Sequence, residues 1–140
     1  MQGIFTVQMV DRFGKVINSK TEKNLIVDKA RYDLARIISG ASGYTGKYIN
    51  TIGFGTSTAA PTNADTTLTT PYTKAIDSVA YTDGISVTFN WSLGLTENNG
   101  MAITEFGLLL SNGDLFSRKV RSAINKASDF SLNGTWQIIF

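Results

Sequence analysis

The chain contains neither cysteine nor histidine. Without cysteine it forms no disulfide and offers no thiolate to a metal. Without histidine it lacks the commonest general base and the commonest zinc ligand. A hydrolase made from the remaining residues needs paired carboxylates or a Ser–Lys arrangement. The eleven acidic residues are instead spread singly along the sequence. Glu97-Asn98-Asn99-Gly100, the nearest approach to a calcium loop, carries one charge, and Gly53-Phe54-Gly55-Thr56-Ser57-Thr58 lacks the Lys-Ser/Thr ending of a phosphate loop. These absences predict a protein that is not an enzyme and uses no cofactor or metal. Net charge is only +2, too weak to argue for nucleic acid. No run approaches transmembrane length and no basic, apolar leader opens the chain, so the expectation is no membrane association and folding in the cytosol.

A length of 140 residues with 42% hydrophobic and 17% charged content predicts one globular domain spanning 1–140. Abundant Gly, Thr, Ser and Asn suit a β protein with many turns. Charge is unevenly placed: residues 1–48 carry +4, residues 49–114 carry −5 and residues 115–140 carry +3. Segments of opposite sign can meet within the fold or between copies.

Hydrophobic periodicity supplies the elements. Ile4–Val10 reads as a strand, followed by a hairpin loop over Asp11–Lys15 with Gly14 in the left-handed region. Asp28 to about residue 39 reads as the single amphipathic helix. Asp28 caps it, Ala30, Leu34, Ile37 and Ile38 form its apolar stripe, Lys29, Arg31, Asp33 and Arg36 its polar sides, and Gly40 closes it. Tyr48–Phe54 reads as a strand after the Ala41–Lys47 loop. Thr56–Thr67 is a polar connection long enough to suggest a contact role. Ala75–Tyr81 and Ile85–Leu93 pair through Asp83-Gly84, with Ile85, Val87, Phe89, Trp91 and Leu93 alternating toward a core. Trp136, Ile138 and Phe140 alternate in a last strand. The sum predicts a mainly β fold, an antiparallel two-sheet β-sandwich with the helix packed on it.

The segment Ile103–Val120 reads as a hairpin turning at Asn112-Gly113 in a type I′ geometry, which places Leu110 opposite Leu115, Leu109 opposite Phe116 and Gly107 opposite Arg118. Apolar residues on both faces of Phe106–Leu110 predict cover on both sides. Glu105 and Arg118 fall on one face a diagonal step apart, which predicts a structural ion pair, with Gly107 leaving room for the arginine stem.

Asn24–Gly40, then Tyr48–Leu68 with its Gly53-Phe54-Gly55-Thr56, Pro61 and Asp65-Thr66-Thr67-Leu68, resembles small structural proteins of tailed bacteriophages, in particular tail-fibre and baseplate-associated modules. Glu105–Arg118 (E-F-G-L-L-L-S-N-G-D-L-F-S-R) resembles a further segment of the same modules. The resemblance implies a non-enzymatic virion component acting through multi-copy contacts with other phage virion proteins, as a homo-oligomer with trimers or hexamers favoured. It further implies a location in the virion after synthesis in the bacterial cytoplasm. A capsid-decoration or head–tail joining role is the first alternative. A carbohydrate-binding module is the second, and it requires Tyr44, Tyr48, Tyr72 or Trp136 to form an exposed platform. Expected contact surfaces are the Ala41–Lys47 loop (Tyr44, Lys47), the Thr56–Thr70 connection (Thr58, Pro61, Asn63, Asp65) and the N-terminal strand.

Overall fold

A computed structural model describes residues 1–140. The fold is mainly β: β1 (Gln2–Asp11), β2 (Val16–Ile26), β3 (Ile49–Gly55), β4 (Tyr72–Ala75), β5 (Ser78–Asp83), β6 (Ser86–Leu93), β7 (Ala102–Leu110), β8 (Leu115–Asn125) and β9 (Phe130–Ile139), with one helix, α1 (Asp28–Ile38). Two separate sheets were expected. Instead, all nine strands form one antiparallel sheet in the order β4-β3-β7-β8-β2-β1-β9-β6-β5. Strand β2 is the reason. Its first part pairs with β1, while Leu25 and Ile26 pair with Arg118 and Ser117 of β8, so one strand belongs to both halves.

The sheet curls into a half-barrel whose concave side is the core. Phe5, Trp91 and Trp136 from one half meet Phe54 and Phe106 from the other. Phe5 and Phe106 lie 4.8 Å apart by ring centroid, and Phe54 meets Trp91 edge-on at 5.7 Å. Fully burying aromatic side chains of this size contributes strongly to stability. The strand expected over Ala75–Tyr81 is broken in two. Ile76 donates to Asn50 O in one half and Asp77 to Asn90 O in the other, both by backbone N–H. The two outermost strands of the sheet are therefore one stretch of chain bent between residues 76 and 77, a way of turning a corner between packed layers.

The β7–β8 turn departs from a type I′ geometry. Only Gly113 is left-handed (φ 90°), Gly113 N–H donates to Leu110 O and Leu110 N–H to Asp114 O. This three-residue loop places Leu109, not Leu110, opposite Leu115. A bulge at Phe116 absorbs the slip, so Gly107 still faces Arg118.

Helix α1 also differs at its start. Val27 is the N-cap and no side chain caps it. The Asp28 N–H is instead taken by the carbonyl of Asn63, 2.9 Å away on the long connection. At the other end Gly40 (φ 66°) closes the helix, with Ala41 N–H reaching Arg36 O. Asp33, expected on the solvent side, is fully buried, whereas Ile38 of the expected apolar stripe is 82% exposed.

Candidate functional site

The connection between β3 and β4 is a strap held down on the convex face. Gly53, Gly55, Gly107 and Glu105 share that face, since Gly53 pairs with Gly107 and Gly55 with Glu105. The strap's Leu68 lies in the trough the glycines leave. A Cβ at Gly53 would stand 2.5 Å from Leu68 Cδ1, and one at Gly107 would stand 2.9 Å from it. A Cβ at Gly55 would overlap the Glu105 carboxylate. Gly107 thus makes room for the strap's leucine, not for the arginine stem.

Polar groups fasten the strap. Glu105 is fully buried and Arg118 is 4% exposed. Arg118 Nε donates to Glu105 Oε2 at 2.8 Å, Nη1 to Asp65 Oδ2 at 2.7 Å and Nη2 to Ala59 O at 3.1 Å. The second Glu105 oxygen accepts the N–H groups of Ser57 and Thr69 at 3.2 and 2.6 Å. Burial opposes the charge on Arg118, but its bonds to Glu105 and Asp65 outweigh that and raise its pKa. Burial likewise opposes ionisation of Asp65, and hydrogen bonds from Thr62 and Arg118 override it, holding the carboxyl below its ordinary value. One guanidinium, two carboxylates and three backbone groups leave one another satisfied, and little is left to meet a substrate.

The structure therefore gathers Gly53, Gly55, Asp65, Leu68, Glu105, Gly107 and Arg118 into one latch. Thr58 and Asn63 are exposed on the strap, and Pro61 is half-buried. Tyr44 and Lys47 are half-buried in the 41–47 loop. The N-terminal strand is internal to the sheet, paired along its length with β2 and β9, so only its ends are free. Trp136 is fully buried and Tyr72 packs against Phe54, which removes both from any exposed aromatic platform.

A second charged cluster joins α1 to the β7–β8 turn. Lys29 bonds both the buried Asp33 and Asp114, the latter at 2.7 Å. Burial opposes the lysine charge, and the bonds to Asp114 and Asp33 raise its pKa above the ordinary value. The bond from Lys29 lowers that of Asp114. No group of three or more acidic, histidine or cysteine side chains is placed to hold a metal ion.

The feature the sequence did not disclose is an apolar mouth at one end of the curled sheet. A cleft of about 280 Å³ opens between α1 and the ends of β3, β5 and β9, lined by twelve hydrophobic residues and Lys47. Leu34 and Ile37 form the helix wall, Leu110 and Phe116 the floor from the β7–β8 hairpin, and Tyr81 and Phe140 the opposite wall. Tyr48 is 64% exposed, Tyr81 80% and Phe140 62%, and Ile85 beside them is 61% exposed. Single exposed apolar residues need no explanation, but a contiguous rim around a cleft marks a binding surface. Ile85 and Phe140 looked like core positions because they continue the period-two patterns of β6 and β9. Ile85 stands just before the first residue of β6 and Phe140 just past the last residue of β9, and both side chains are more than half exposed. No protein-family model matches the chain, and no curated protein or solved structure matches it.

Proposed function

We propose that the chain is a non-enzymatic structural component of a tailed-bacteriophage virion, a tail, baseplate or fibre-attachment protein that works by being held in many copies among other virion proteins. The observation that carries this reading is the apolar mouth, a surface suited to another protein and carrying no cluster of reactive groups. The latch supports it from a second side. The residues on which the resemblance rests are far apart in sequence and meet in a single fastening, as parts of one structural motif would. A two-layer packing of the kind common in such modules is approximated by the two facing halves of the curled sheet.

Proteomics of purified particles from the bacterium that makes the chain tests the proposal, with electron cryo-microscopy to locate it. The expected result is stoichiometric incorporation in symmetric copies at the tail. Density at the capsid surface or the neck would favour the decoration or joining role, and absence from particles would overturn the proposal.

A further inference from the structure

The two ends of the molecule are complementary, and we propose that the apolar mouth receives the Asp11–Lys15 turn of a second copy of this chain, with Phe13 seated in the cleft. The inference rests on the reading of a multi-copy structural role and names the contact through which copies join.

Register places the two surfaces at opposite ends. Gln2 pairs with Ile139 and Asp11 with Phe130, so the mouth residues Ile138 and Phe140 lie a full strand away from the turn. Ten strand residues span about 30 Å. Because the two surfaces lie at opposite ends, seating one copy's turn end-on in another's mouth leaves a turn and a mouth free on the pair. Repetition gives a closed ring or an open helical tube.

The turn is shaped as a fixed knob. Phe13 is 87% exposed, the most exposed of the large apolar side chains, with Val16 and Ile17 half-exposed beside it. The turn carrying it is pinned. Asp11 Oδ1 accepts the N–H groups of both Phe13 and Lys15 at 2.9 Å, and Arg12 N–H donates to Asp129 O at 3.2 Å. A turn whose backbone is already held loses little further backbone freedom on binding.

Charge fits the same pairing. The rim of the mouth carries Lys47 on the helix side, and Asp83 stands at the β5–β6 turn beside Tyr81 and Phe140. Hydrogen bonds from Ser86 and Ile85 keep the Asp83 carboxyl below its ordinary pKa, hence charged. The knob presents both signs as well: Arg12 and Lys15 to meet Asp83, and Asp11 to meet Lys47. Aromatic side chains entering apolar pockets inside a polar rim are the usual energetic centre of such contacts.

Sedimentation velocity on the full chain tests this with two variants, Phe13→Glu and Tyr81→Glu. Both residues are solvent-facing, and far-UV circular dichroism checks the fold. Ile85→Glu replaces Tyr81→Glu if the latter unfolds. The unaltered chain is expected to form species larger than a dimer, and each variant alone to associate at least about tenfold more weakly. Mixing the two is the sharper experiment. Phe13→Glu keeps an intact mouth and Tyr81→Glu an intact knob, so the mixture is expected to stop at a one-to-one dimer. A monomeric unaltered chain, a Phe13→Glu chain that assembles as before, or a mixture that stays monomeric would each overturn the contact. Incorporation into particles of a chain that assembles regardless of Phe13 would leave the structural role standing. Rings or tubes of a chain never found in particles would keep the contact and remove that role.

Discussion

The latch face and the mouth are built from opposite materials. Under the strap, buried charges meet one another and buried backbone groups, and a glycine trough admits a single leucine. At the mouth, large apolar side chains stand in the open with few polar groups among them. A buried guanidinium beside two carboxylates has the outward look of an active site, yet every strong group in it is occupied in holding the strap. The apolar rim looks like imperfect packing, yet it is the surface left unsatisfied. Chemical conspicuousness and availability are different properties, and only the second makes a site.

If this contrast is right, substitutions in the latch act on stability and substitutions at the mouth act on association. The largest effect is expected from Glu105→Ala, which removes the acceptor of Arg118 Nε and of two strap N–H groups and leaves Asp65 and Ala59 to hold the rest of the guanidinium. A loss of about 3–5 kcal/mol in urea melts is expected, and a loss below about 1 kcal/mol would place the pair among exposed ones. Gly107→Val comes next. Its side chain enters the space of Leu68 and Leu115, at an expected cost of about 1–3 kcal/mol, with faster amide exchange along the strap as the specific readout.

Asp65→Asn should cost less, about 1–2 kcal/mol, because Glu105 still holds Arg118. It should also change the pH response. The folded pKa of Asp65 lies below the ordinary 3.8, so its stabilisation is complete well above pH 4 and fades as acid protonates the folded carboxyl. Asp114 and Glu97 have lowered values too and act in the same direction. Acidification below about pH 4 should therefore lower the urea midpoint, and the Asn variant should lose part of that dependence. The smallest effect on stability is expected from Tyr81→Ser, within about 0.5 kcal/mol, although it should weaken self-association. A large destabilisation there would mean that the mouth is part of the core.

Glu105 and Arg118 could be paired from the sequence because two hairpin strands set their relation, and the bulge at Phe116 happened to restore the expected register. Asp65 and Ala59 could not be added to that pair. They reach Arg118 across more than fifty residues of chain, and no local pattern encodes such a meeting. Asp33 departs from expectation for a related reason: helical spacing puts it on the polar sides of α1 with Lys29, Arg31 and Arg36, and no local pattern encodes that Lys29 will join it to Asp114 of the β7–β8 turn. Phe13 went unremarked because an aromatic residue in a polar turn has no periodicity to interrupt.

Left–right alternation, turn glycines and the helical stripe depend on backbone angles and near neighbours, so the amino-acid order alone determined that this would be a hairpin-rich β protein with a single helix closing at Gly40. Tertiary structure decided that β2 would serve both halves of one sheet, that a polar strap would be latched over three glycines, and that one end would remain open. Those outcomes depend on which distant surfaces bury each other. That competition is resolved only when the whole chain has packed.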